Sequence, residues 1–175
     1  PNDNFNLETS HVLPAMIRKM HLGKCLENND WDAITSDFNK RPIDGISGES
    51  TKEQILEVLS KYGVSYKKGD NKSVQVEIWG TGKPLREFLW SEDMADATVF
   101  IMENVNFLDL KNVIESKEIR NTHINVGTGI EISIKDVAFE IKNKISFKGD
   151  LYFNSEKPDG TMRKLTDVTK LHSLG

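Results

Sequence analysis

The chain has 175 residues, 37% of them apolar and 29% charged, which is enough for one hydrophobic core in a soluble globular domain. Its formal net charge of −4 argues against broad nucleic-acid or membrane-surface binding, both of which rely on a basic surface field, so any anion must be held by a few placed cations. A single cysteine, Cys25, excludes an internal disulfide and a thiolate cluster, the four histidines lack the spacing of metal ligands, and the longest apolar run, near Ala97 to Met102, is too short to span a bilayer. The expectation is a cytoplasmic protein without a metal.

In chain order, a polar, loop-like opening leads to a helix from about His11 to Lys24, with Ser10 as its cap, Leu13, Ile17 and Met20 on its apolar face, and Arg18 and Lys19 on the other. Residues 26–50 collect Asn, Asp, Gly and Pro with little periodicity and read as a loop. Thr51 and Gln54 offer a capping box for a short helix bearing Ile55, Leu56, Leu59 and Tyr62, which Gly63 stops. Val74, Val76 and Ile78 alternate with Gln75 and Glu77 as in a half-buried strand, and Gly80-Thr81-Gly82-Lys83-Pro84 turns it. Ser91 with Glu92 and Asp93 then opens a helix whose Met94, Ala95, Ala97, Thr98, Ile101 and Met102 are expected to face the core. After a loop near Asn104 to Asn121 come a short strand His123 to Val126, a helix capped by Ser133 over about Ile134 to Lys144, a strand near Asp150 to Phe153, a turn at Pro158 to Gly160 and a closing helix capped by Asp167. The order is mixed α/β, without an internal repeat.

The stretch from Trp79 to Leu89 carries most of the functional information. Arg86 sits between Leu85 and the run Phe88-Leu89-Trp90, and a guanidinium that cannot lose its charge among such neighbours needs a carboxylate or a phosphate, either of which its planar fork binds bidentately. The turn before it therefore reads as an anion site. The chain offers no matching cofactor motif: Gly127-Thr128-Gly129 has Ile132 where a dinucleotide fingerprint needs its third glycine, and Tyr62, Tyr66 and Tyr152 are not followed by lysine at the Tyr-x-x-x-Lys spacing.

Several blocks together resemble the substrate-binding half of the GDP-L-fucose synthases, extended short-chain dehydrogenase/reductases that act on GDP-4-keto-6-deoxy-D-mannose. They are Asp3-Asn4-Phe5, Ser10-His11-Val12-Leu13-Pro14-Ala15-Met16-Ile17-Arg18-Lys19, Trp79 to Asp96, His123-Ile124-Asn125-Val126-Gly127-Thr128-Gly129, and Lys157-Pro158-Asp159-Gly160-Thr161-Met162-Arg163-Lys164. The resemblance implies an α/β C-terminal substrate-binding domain over residues 1–175 that lacks the Rossmann half, with a loop-helix excursion inserted at about 26–73. It places the NADPH site and the catalytic Ser, Tyr, Lys and Cys upstream of Pro1, so that this piece would be inactive alone; Cys25 does not match that cysteine.

By the same resemblance His11 is the acid/base in epimerisation beside the keto group, where a proton α to a carbonyl leaves from one face and returns to the other; imidazole suits that work. Lys19, Trp79, Arg86 and Asp159 match sugar-nucleotide contacts. Lys19 and Arg86 would neutralise the diphosphate, Trp79 would lie beside the ligand, and Asp159 would accept from guanine or ribose, with Arg163 and Lys164 as a further basic pair. The implied partners are a GDP-sugar and a second copy of the intact enzyme. Another nucleotide-sugar epimerase or dehydratase of the superfamily and a non-catalytic nucleotide-binding module are the alternatives.

Overall fold

A computed structural model describes residues 3–111 and 121–175. The elements run α1 (Val12–Glu27), α2 (Trp31–Lys40), α3 (Lys52–Lys61), β1 (Val64–Lys67), β2 (Asp70–Trp79), β3 (Leu85–Arg86), α4 (Ser91–Asn104), α5 (Phe107–Leu110), β4 (Ile132–Ser133), α6 (Ile134–Ile145), β5 (Asp150–Asn154), β6 (Arg163–Lys164) and α7 (Thr169–His172). They form two compact units, residues 1–84 with 133–160, and residues 85–132 with 161–175.

The first unit is a sheet of order β1-β2-β5 with helices packed on it. The expected alternation of β2 is present: Val74, Val76 and Ile78 are buried while Gln75 and Glu77 lie on the other face. β1 runs antiparallel to β2, pairing Val64 with Val76, and β5 runs parallel to it, pairing Val76 with Leu151 and Trp79 with Asn154. α1 crosses β2 closely because Gly23 has no side chain; a Cβ there would stand 3.0 Å from Val76 and 3.3 Å from the Phe147 ring. The core is completed by Met20, Leu22, Leu26, Ile55, Leu59 and Val64. α3 begins on the Thr51/Gln54 capping box and ends before Gly63, whose φ of +80° suits glycine alone. α6 begins on Ser133, which accepts from the Asp136 amide, and buries Val137, Ala138 and Ile141 as its pattern requires.

Several expectations are corrected. Residues 26–50 are a loop only from Arg41 onward: α1 continues to Glu27, and α2 follows, capped by Asp30 accepting from the Ala33 amide and anchored by the fully buried Ile34 and Phe38. The cap of α1 is His11 rather than Ser10, whose hydroxyl is shut off from solvent and has no hydrogen-bond partner among the described residues. Arg18 is not on a solvated helix face; only 2% of it is exposed. Its Nε and Nη2 hold Asp37 on α2 at 2.9 and 2.7 Å, Nη1 donates to the Phe5 carbonyl at 3.1 Å and Nη2 to the Arg41 carbonyl at 2.5 Å, so one guanidinium ties α1, α2 and the opening segment together.

In the second unit β3 and β6 pair in parallel, Leu85 with Arg163 and Arg86 with Lys164. α4 is capped by Trp90, and Ser91 is its first helical residue. No residue of α4 is buried, contrary to the expected core face, and Met102 is 78% exposed. His123 to Val126 is not a strand. Side chains hold that segment instead, Lys170 donating to the Asn121 and His123 carbonyls and Asn125 to the Asp167 carbonyl. At the end of the chain Asp167 accepts from the Thr169 amide, but α7 has only four residues and its cap position is Val168. Part of the expected 104–121 loop lies outside the described residues; the part described contains α5.

Candidate functional site

In the first unit the carboxyl ends of the parallel pair β2 and β5 open onto two loops, Gly80 to Pro84 and Ser155 to Gly160, the place where open α/β sheets bind ligands. Trp79 closes β2 with 63% of its surface exposed, and the Lys157 ammonium stands 5.3 Å from its ring centroid, within cation–π range. Gly80 turns the chain at φ +83°, and a Cβ on it would lie 2.2 Å from Asp159 Oδ1, so only glycine fits. Asp159 accepts from the Thr81 amide at 2.6 Å through Oδ1 and from the Thr81 hydroxyl at 2.8 Å through Oδ2. Each carboxylate oxygen is thus used once by the protein and keeps one acceptor site. The first amides of α6 complete the turn, Lys135 donating to the Gly82 carbonyl and Ile134 to the Pro84 carbonyl.

His11 and Lys19 both stand on α1, about 12 Å apart along its axis. His11 is exposed and makes no side-chain cap bond, which leaves its imidazole uncommitted to the helix. Lys19 reaches the sheet and donates to the Glu77 carbonyl at 2.9 Å, while Asn154 Nδ2 donates to Glu77 Oε1 at 3.0 Å. Burial lowers the Lys19 pKa to about 8, only partly offset by the Glu77 carboxylate. Four of the five expected site residues, His11, Lys19, Trp79 and Asp159, therefore belong to this unit, with Trp79 and Asp159 joined across Gly80-Thr81.

The fifth, Arg86, belongs to the second unit. Its Nη1 donates to the neighbouring Leu85 carbonyl at 2.7 Å, and no carboxylate among the described residues lies within ion-pair reach of it. Register partners on parallel strands share a face, so Lys164 stands beside Arg86 and two cations are presented together. Arg163, the neighbour on the opposite face of β6, is neutralised by Glu131 at 2.8 Å. A cavity of about 510 Å³ lies nearby, lined by Gly129, Arg163 and Leu165 to Thr169.

Sequence reasoning missed Glu87, the residue that organises this unit. Its Oε1 accepts from the Gly129 amide at 2.6 Å and the Thr128 hydroxyl at 3.1 Å, and its Oε2 from the Thr166 amide at 3.1 Å. Gly127 leaves the space, since a Cβ there would lie 2.7 Å from Oε1. Desolvation raises the Glu87 pKa, but the hydrogen bonds from Thr166, Gly129 and Thr128 outweigh it and hold the carboxyl at about 2, against an ordinary value of 4.5. A folded pKa below the unfolded one contributes stability that is complete above pH 4.5 and is lost as pH falls towards 2. Urea midpoints of wild type measured between about pH 6 and about pH 3 should therefore fall on the acid side, and the fall should be smaller in Glu87→Gln, which has no carboxylate to protonate; equal falls would remove Glu87 as the source.

Among the described residues no group of three or more His, Cys, Asp or Glu side chains is placed to hold a metal ion. Gly127 to Gly129 wraps the Glu87 carboxylate rather than opening a helix towards a pyrophosphate, so this turn does not serve as a dinucleotide fingerprint. No helix among the described residues is long and apolar enough to cross a membrane.

The sequence model of the NAD dependent epimerase/dehydratase family matches residues 46–127. GDP-L-fucose synthase of Escherichia coli K12 is 33% identical over the whole of this chain, which covers 39% of that protein. Among solved structures, a GDP-6-OMe-4-keto-L-xylo-heptose reductase from C. jejuni is 43% identical with a TM-score of 0.82, over 99% of this chain and 44% of that one. A GDP-mannoheptose C4 reductase from Campylobacter jejuni with NADP bound is 41% identical with a TM-score of 0.76, again over 99% of this chain and 44% of that one. The chain thus spans less than half the length of these relatives. The chain is therefore similar, along essentially its whole length, to less than half of several GDP-sugar enzymes, and residues 46–127 match the model of the NAD dependent epimerase/dehydratase family.

Proposed function

We propose that residues 1–175 are the substrate-binding part of an NADPH-dependent epimerase/reductase acting on a GDP-linked 4-keto sugar, in the finer reading GDP-4-keto-6-deoxy-D-mannose on its way to GDP-L-fucose. The observation that carries this reading is the pairing of Arg86, which has no carboxylate partner among the described residues, with Lys164 on one face of β3 and β6. A diphosphate supplies the missing anionic oxygens, and the guanidinium fork takes two of them at once. Trp79, backed by Lys157, offers a flat apolar surface, and the free acceptor sites of Asp159 suit a ribose hydroxyl or a guanine N–H. Lys19 adds positive charge below about pH 8. His11 protonates carbon after a base has removed the proton from the opposite face.

NADPH supplies the hydride when bound, and its site belongs to a part of the intact protein outside this chain. The same reading makes the intact enzyme a cytoplasmic homodimer. A GDP-4-keto-heptose is the second reading for the substrate, favoured by the 41–43% identity to heptose enzymes against 33% to the E. coli fucose synthase.

Assay of the intact protein with NADPH and each keto sugar separates them. Oxidation of NADPH with GDP-4-keto-6-deoxy-D-mannose supports the first reading, and turnover restricted to the heptose supports the second. Nucleotide binding without turnover of either would leave a non-catalytic module.

A further inference from the structure

Arg86 and Lys164 stand side by side only because β3 and β6 hold one register, and each strand is two residues long. Two-residue strands have too few ladder bonds to fix a register by themselves. A backbone bond on one side of the pair, from the Leu85 amide to the Met162 carbonyl at 2.8 Å, pins it on that side. On the other side the fastening is a side chain: Glu87, directly after Arg86, takes the amide of Thr166, two residues beyond Lys164. The same carboxylate takes the Gly129 amide and the Thr128 hydroxyl, so it joins β3, β6 and the 128–129 turn at one point. Glu87 follows β3 directly, its carboxylate is taken up by the Gly129, Thr128 and Thr166 donors, and no ion pair joins it to Arg86 among the described residues.

We propose that Glu87 is a positioning residue for the diphosphate site, fixing the spacing of the Arg86 and Lys164 cations by locking the β3–β6 register to the 128–129 turn. The inference rests on the reading of Arg86 given above. Two cations bind one diphosphate well only at the separation its oxygens demand, so a register free to slip weakens binding even though both charges remain. Glu87→Gln is nearly isosteric. Its amide nitrogen can only face donors, so at least one of the Gly129, Thr128 and Thr166 donors loses its acceptor.

The test is calorimetric titration of the intact protein with GDP for wild type, Glu87→Gln, Arg86→Ala and the double variant. Glu87→Gln is expected to weaken GDP about tenfold, the scale of one lost charge-assisted hydrogen bond. In the Arg86→Ala background the same change should cost less than about twofold, because the group it positions is gone. Unchanged GDP affinity in Glu87→Gln, or a loss as large with Arg86 absent as with it present, would overturn the inference while the nucleotide reading stands. Failure of wild type to bind GDP would remove that reading and the inference with it. Should Glu87→Gln not fold, Thr128→Val carries the test: it removes one donor, and a loss of about threefold that vanishes in the Arg86→Ala background is the supporting result.

Discussion

Arg18→Ala is expected to destabilise the protein by about 3–5 kcal/mol, the cost of removing one partner from a buried ion pair. Asp37 would keep a carboxylate that is only 11% exposed, and the Phe5 and Arg41 carbonyls would each lose a donor. The cost lies in what is left behind more than in what the pair contributes, because desolvating both charges already consumes most of their attraction. The double variant Arg18→Met/Asp37→Leu should therefore recover most of the loss, since two apolar side chains need no partners. Urea denaturation of the three variants checks both statements. If Arg18→Ala shifts the midpoint no more than the surface change Lys40→Ala, whose effect should stay within about 0.5 kcal/mol, the guanidinium is not the tie between α1, α2 and the opening segment.

That tie marks where the sequence stops being legible. α3, β2, α6 and β5 could be read because each carries its own local signal: a capping box, a period of two, or a serine before an apolar stripe. α2 could not, because only Ile34 and Phe38 of its ten residues are fully buried; the aspartate at position 30 was the available clue. Arg18 follows Ile17 and precedes Lys19, and nothing local tells a buried arginine from a solvated one. His123 to Val126 has strand-like residues but pairs with no strand among the described residues, and its His123 carbonyl bonds to Lys170. The residues expected at the site were named from resemblance, whereas the groups that hold them are mostly backbone. Lys19 donates to a carbonyl, and Glu87 accepts from two amides and a hydroxyl. Partners of that kind leave no residue-type signature, so Glu87 became visible only in three dimensions.

His11→Asn separates chemistry from folding more cleanly than any other change at the candidate site. The histidine caps α1 through its backbone alone, and asparagine is among the best N-cap residues, so the variant should fold at least as stably as wild type. Thermal unfolding checks that first. If the exposed imidazole of His11 is the acid that returns the proton in epimerisation, its removal from the intact protein should slow that step by about 10²–10⁴-fold, the usual contribution of a positioned general acid. Reduction of a keto sugar that already has the product configuration needs no such proton, so its rate with NADPH should stay close to wild type. Exchange of solvent deuterium into the carbon next to the carbonyl distinguishes the two halves of the reaction: a base acting alone still exchanges one face, whereas net inversion requires delivery from the other. Inversion at the wild-type rate in His11→Asn would take the histidine out of the mechanism and leave it as a helix cap. Loss of reduction along with inversion would mean that the side chain orients the sugar rather than protonating it.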